Sequence, residues 1–163
     1  EMCIRDSEEE YSIDVIQPEK IEFKQNSYED GENSIISFPE FLLLVLDVCT
    51  GGEQPASHYQ PDKLIEKFDA LKTYFTAGEF YEKMLYYRLL LDYYTIRRDI
   101  KDGQGNYSLI LKGPKDDSDK LKQYQSMLYV STEAFYNWLK PYLRKLEQDE
   151  LHSCADMLAF LKK

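Results

Sequence analysis

Apolar residues recur every three or four positions from residue 37 onward, which is the spacing of helices with one buried face. The stretch SFPE begins the first predicted helix, because Ser37 and Glu40 have the spacing of a capping box. The glycine pair at 51–52 ends this helix. A second helix is predicted over residues 61–75, after a loop that contains two prolines.

The longest predicted helix begins at a second capping box, formed by Thr76 and Glu79, and is expected to reach about Arg98. Downstream of it, DGQGN (102–106) is a turn signal, and the weakly alternating YSLILK (107–112) is compatible with a short strand or with irregular structure, so at most one short strand pair is expected here. Three further helices are predicted at about 120–130, 132–148 and 149–161. Pro141 is expected to kink the middle one or to split it after Trp138.

These segments predict a mainly α fold, an irregular domain of five or six helices with at most a short strand pair. We expect the helical domain to cover residues 35–163 and to follow an acidic segment, 8–34, that is a linker or the edge of an upstream domain. The predicted core takes residues from one face of each helix: Phe38, Phe41, Val45, Phe68, Tyr87, Leu91, Leu128, Phe135, Trp138 and Leu139.

The net charge of −10 is concentrated at one end of the 163-residue chain. Residues 1–34 hold 11 acids and 3 bases, net −8, whereas residues 35–163 hold 19 acids and 17 bases, net −2. A nearly neutral body is not the composition of a broad DNA-binding surface, although a small basic patch is compatible with it.

No catalytic, cofactor-binding or metal-binding pattern is present in the sequence. His58 and His152 are predicted to lie on the surface, and Cys49 and Cys154 to be buried free thiols in a reducing cytoplasm. The longest apolar run, FLLLVL (41–46), is far shorter than the roughly 20 residues that span a bilayer. We therefore expect a cytoplasmic protein without a membrane partner.

A cationic cluster lies near the predicted end of the longest helix. Arg88 and Asp92 are four residues apart, a spacing that favours an ion pair on a helix. Arg97 and Arg98 would complement the helix dipole at its C-terminus. They are also the candidate phosphate contacts of this chain, and one of the two is expected to face outward.

The chain opens with EMCIRDS, which resembles translated sequencing adapter at the edges of assembled metagenomic reading frames. We therefore expect residues 1–7 to be an artefact rather than part of the protein, and the natural N-terminus to be missing.

Four stretches in a fixed order carry a family resemblance: IISFPEFLLLVL (35–46), KMLYYRLLLDYYTIRRD (83–99), LKQYQSMLYVS (121–131) and FYNWLKPYL (135–143). Together they resemble the helical part of the family called domain of unknown function 262, over about residues 35–148. That family forms the N-terminal region of GmrSD-type modification-dependent restriction endonucleases.

The resemblance implies a part of a phage-defence enzyme that cuts foreign DNA. It also implies partners in the same protein: a ParB-like domain that hydrolyses a nucleoside triphosphate upstream, and in many members an HNH-type nuclease domain downstream that needs a divalent metal. The family's catalytic signature, Asp-Gly-Gln-Gln-Arg, lies upstream of the SFPEF-like stretch. DGQG at 102–105 lies downstream and lacks the second glutamine, so no active-site residue is carried over.

Two functional hypotheses follow. In the first, the chain is a non-catalytic helical segment of a GmrSD-like enzyme, inactive by itself, that packs against the nucleotide-hydrolysing domain and transmits its state to the nuclease domain, with DNA as a further contact. In the second, it is a free-standing helical module for protein–protein interaction, with an aromatic face as its binding surface.

Overall fold

The computed structural model describes residues 32–52, 54–101, 104–114, 118–131 and 134–163. This part of the chain is mainly helical, as the sequence predicts. Two short 3-10 turns, Ala56–Tyr59 and Pro61–Lys63, connect the first two helices. In chain order the elements are β1 (Glu32–Ser34), α1 (Phe38–Cys49), α2 (Leu64–Leu71), α3 (Ala77–Tyr94), β2 (Ile96–Ile100), β3 (Tyr107–Leu111), α4 (Ser118–Val130), α5 (Phe135–Glu147) and α6 (Cys154–Leu161).

Both predicted capping boxes are confirmed. The backbone N–H of Ser37 donates to Glu40 Oε2 at 2.8 Å, and that of Thr76 donates to Glu79 Oε2 at 2.7 Å. A third box, formed by Ser153 and Asp156, begins α6 at Cys154, five residues after the predicted start of that helix. Each box satisfies backbone donors that the first turn of a helix leaves free.

The strands form one antiparallel sheet in the order β1-β2-β3. The predicted strand at 107–112 is confirmed as β3, which pairs Leu109 with Arg98 of β2. On the other side of β2, Ser34 of β1 pairs with Arg97. The strand β1 therefore consists of the last three residues of segment 8–34, which we predicted to be a linker or the edge of an upstream domain.

The prediction that the longest helix reaches Arg98 is wrong, because α3 ends at Tyr94. Gln125 of α4 binds the backbone on both sides of Thr95: its Nε2 donates to the Tyr94 carbonyl at 3.0 Å, and its Oε1 accepts from the Ile96 N–H at 2.9 Å. The Thr95 hydroxyl donates to the Leu91 carbonyl at 2.5 Å. These hydrogen bonds satisfy backbone groups at the end of α3, and β2 begins directly after it.

The core is built around α1 and α5, and most of the predicted core is confirmed. Six predicted residues are buried, and Phe68, Leu128 and Phe135 are partly buried against them. Phe38 is the exception: it lies in the first turn of α1 and is 60% exposed. Pro141 lies inside α5 without ending it, so the predicted split after Trp138 is absent. The confirmed residues are Phe41, Val45, Tyr87, Leu91, Trp138 and Leu139.

Candidate functional site

One side of α3 presents large apolar side chains to solvent, while its opposite side packs into the core. Successive residues of a helix are rotated by about 100°, which places all the exposed ones within an arc of about 140°. Leu89, at the centre of this arc, is 68% exposed. We call this surface the α3 face, and it consists of Tyr81, Leu85, Tyr86, Leu89 and Tyr93.

A cleft of about 610 Å³ lies on the α3 face beside the C-terminal end of α5. Its apolar lining comes from Leu85, Tyr86 and Leu89. Carboxylates of Glu79, Glu82 and Glu147 also line it, together with the ammonium group of Lys83. We call this feature the acidic cleft, since it contains three carboxylates and one ammonium group.

Glu147 forms the inner end of the acidic cleft and is held by two side chains of α3. Its Oε1 accepts a short hydrogen bond from Lys83 Nζ, and its Oε2 accepts from the Tyr87 hydroxyl at 2.6 Å. Burial by itself would raise the pKa of Glu147, but the hydrogen bonds from Lys83 and Tyr87 outweigh it and hold the pKa below its usual range. Glu147 is therefore a carboxylate at neutral pH.

The outer rim of the acidic cleft is formed by Glu79 and Glu82, one helical turn apart. Glu79 accepts hydrogen bonds from the backbone and hydroxyl of Thr76, which lower its pKa. Within the described part of the chain, no hydrogen bond or ion pair engages Glu82. Its charge faces solvent beside the apolar lining.

The predicted phosphate contacts, Arg97 and Arg98, lie on β2 rather than at the end of a helix. Neighbouring residues of a strand point to opposite faces, and Arg98 shares its face with the buried Ile96 and Ile100. Nε and Nη2 of Arg98 donate to the Ser34 carbonyl at 3.2 and 2.9 Å. Arg98 thus ties β1 to β2.

Arg97 belongs to an ion-pair cluster around Asp92. Its side chain is only 11% exposed, and its Nη1 lies 3.8 Å from Asp92 Oδ1. Asp92 Oδ2 accepts from Arg88 Nε at 2.8 Å, which confirms the predicted pair four residues apart. The structure therefore brings the predicted arginines together on one strand but gives each an intramolecular role.

A buried polar network around Asp47 was not predicted from the sequence. Asp47 has no exposed surface, and its carboxylate accepts hydrogen bonds from the Tyr59 hydroxyl, the Gln54 N–H and Lys140 Nζ. Lys140 also lies over the ring of Tyr59, 5.7 Å from its centroid. These three hydrogen bonds to Asp47 anchor the loop after α1 to α5.

The prediction that His58 lies on the surface is wrong. It is buried beside Tyr59, and its Nε2 lies 3.1 Å from the Leu43 carbonyl oxygen. Burial lowers the pKa of His58, so the ring is neutral and Nε2 carries the proton that it donates. His152 is exposed, as predicted.

Cys49 and Cys154 are both free thiols; Cys154 is buried, as predicted, and Cys49 is half-buried. Burial raises the pKa of Cys49, which disfavours the reactive thiolate. Among the described residues, no three His, Cys, Asp or Glu side chains gather closely enough to hold a metal ion. No helix in this part of the chain is long and apolar enough to cross a membrane.

Comparison of the chain with protein-family models, with curated proteins and with solved structures found no match.

Proposed function

We propose that this chain is a non-catalytic helical segment of a GmrSD-like, DNA-targeting phage-defence enzyme, and that its task is to dock other domains of that enzyme. Support comes from the four ordered sequence stretches that resemble the helical part of domain of unknown function 262. The nucleotide-hydrolysing and HNH nuclease activities belong, in this proposal, to the parts on either side of it.

The observation that supports a docking role is the α3 face. Exposed apolar patches with a polar rim can mark interaction surfaces, and five large side chains of α3 lie together on one exposed arc. Four of its five residues, all but Tyr81, fall within the stretch 83–99 that carries part of the family resemblance. One of the four stretches that together carry the resemblance therefore also contains most of the α3 face.

The nucleoside triphosphate and divalent metal that the family implies do not fit the described residues of this chain. No group of three or more potential metal ligands is present among them. Arg97 and Arg98 are each engaged with another group of the fold. We therefore assign both ligands to the other domains of the parent enzyme, which would be located in the cytoplasm.

A free-standing interaction module is the second candidate, and the same α3 face favours it. The two candidates differ in where the partner is encoded. A partner that is a domain of the same reading frame supports the enzyme segment, whereas a separate protein supports the free-standing module.

The test is hydrogen exchange of α3 amides and surface labelling of its tyrosines in two samples. One sample is the present chain, and the other is the full reading frame recovered from the source DNA. We expect Tyr81, Tyr86 and Tyr93 to become protected from labelling in the longer protein. Equal labelling in both samples, or a reading frame that adds no further domain, would contradict the proposal.

A further inference from the structure

We propose that the acidic cleft on α3 receives a basic amphipathic segment, in which apolar side chains alternate with lysine or arginine. This inference rests on the proposed docking function and specifies the chemistry of the partner that α3 binds. Three features carry it: the apolar lining, the sign of the charges on the rim, and the poor fit of the other available occupants.

The apolar lining supplies the contact surface. Leu85, Tyr86 and Leu89 follow one another along the exposed side of α3, and each has close to half or more of its surface exposed. The cleft has a volume of about 610 Å³ and is open to solvent along this side of the helix. Apolar side chains of a partner would remove this surface from water.

The negative charges of the rim favour a positively charged partner. Of the three carboxylates, Glu147 is paired with Lys83, whereas Glu79 and Glu82 are exposed acids that form no salt bridge among the described residues. Glu82 lies about one helical turn and Glu79 about two turns before Tyr86 along α3. A lysine or arginine that flanks the apolar contacts of a partner would meet them.

Two other occupants fit this cleft poorly. The chain's own N-terminal segment, residues 1–34, carries 11 acids against 3 bases, so it has the same sign as the rim. A second copy that bound through the same face would bring together two clefts that carry the same excess of negative charge. Like charges in such positions oppose association, which leaves a basic partner as the occupant that the charges favour.

The experiment uses two designed helical peptides of about 18 residues, or five turns. Both have leucine along one side; the other side is lysine in the first peptide and glutamate in the second. Binding to the chain is measured by fluorescence anisotropy at low and at physiological salt. We expect the lysine peptide to bind at least about tenfold more tightly than the glutamate peptide, with an affinity that decreases with salt.

Matched variants locate the binding. Glu82→Lys should weaken binding of the lysine peptide about tenfold at low salt, and Glu66→Lys, the same change at an exposed position of α2, should not. Leu89→Ser should weaken binding about tenfold, while Val130→Ser, at another exposed apolar position, should leave it unchanged. Because both targets are exposed, neither change should unfold the protein.

Equal affinity of the two peptides, or unchanged affinity after Glu82→Lys, would overturn the inference. The results also separate it from the proposed function. Protection of α3 in the longer protein without binding of the lysine peptide would refute the partner chemistry alone. Binding of the lysine peptide at the cleft, without protection of α3 in the longer protein, would refute the enzyme-segment proposal and support a free-standing module that recognises basic segments.

Discussion

Lys140 Nζ lies 2.9 Å from Oδ2 of Asp47, a residue without any exposed surface. The pair joins α1 to α5 across the core, and Lys140 itself is 15% exposed at its side chain. A buried ion pair contributes little compared with an apolar pair, but loss of one partner leaves a charge unpaired in the interior.

Lys140→Ala should therefore lower the free energy of unfolding by about 3 kcal/mol. The measurement is urea denaturation followed by circular dichroism. Lys145→Ala, which removes the exposed pair with Glu150, is the matched control and should cost less than about 1 kcal/mol. Similar losses in the two variants would show that the Asp47 carboxylate is well solvated after all.

Replacement of Gln125 tests the junction between α3 and β2. Gln125→Leu should lower the free energy of unfolding by about 2 kcal/mol, because the buried Ile96 N–H loses its acceptor. The Tyr94 carbonyl keeps a donor, the Tyr142 hydroxyl at 3.1 Å. Gln123→Leu, on the exposed side of the same helix, is the control. A stability equal to wild type would mean that α3 ends at Tyr94 without help from this amide.

His58 predicts a pH dependence of stability. Burial lowers its pKa in the folded state below the usual value of 6.5, so the unfolded chain binds the proton more readily. The free energy of unfolding should therefore decrease as the pH falls below 6.5, and this contribution should level off below the folded-state pKa.

His58→Gln should remove this contribution while retaining a donor toward the Leu43 carbonyl. The measurement is the difference in unfolding free energy between wild type and variant at several pH values from about 7.5 to about 5, the range over which histidine titrates. His152→Gln, at an exposed position, is the matched control. A difference that does not change with pH would contradict the prediction.

The arginines of β2 predict weak binding of DNA. Because Arg97 and Arg98 already have intramolecular partners, the chain should bind duplex DNA only at low salt, and the binding should vanish at physiological salt. Arg98→Ala should instead lower the free energy of unfolding by about 1 kcal/mol, since the Ser34 carbonyl loses its donors. Tight binding at physiological salt that Arg97→Ala or Arg98→Ala abolishes would contradict this expectation and support the predicted phosphate contacts.

Local sequence signals predicted the beginnings of α1 and α3 but not the end of α3. Ser37 and Thr76 act on backbone groups within three residues, so their capping boxes could be predicted from spacing alone. The end of α3 depends on Gln125, which is 31 residues from Tyr94 in sequence. Likewise, β2 forms where β1 and β3 supply partners on both sides, and no periodicity in residues 96–100 indicates this.

The sequence predicted the core side of α3 through Tyr87 and Leu91, but it did not predict an exposed apolar side, because α3 carries apolar residues in nearly every direction. Leu89 is exposed whereas the adjacent Leu90 and Leu91 are buried, and all three have the same side chain. A helix that is apolar on all sides is usually buried against other structure, so this composition was the sequence signal for a binding surface on α3. His58 was missed because a loop with two prolines gave no indication that it folds over α1.

The two ends of α3 are fixed by different means, the Thr76–Glu79 box at its start and the Gln125 amide at its stop. Because Tyr87 and Leu91 of α3 are also buried in the core, Leu85 and Leu89 keep one orientation before any partner arrives. The backbone of α3 therefore loses little conformational entropy on binding. Most of the entropic cost of association falls on the partner segment, which must become ordered. Substitution of Gln125 should consequently weaken binding at a surface that it does not touch, by letting that surface rotate.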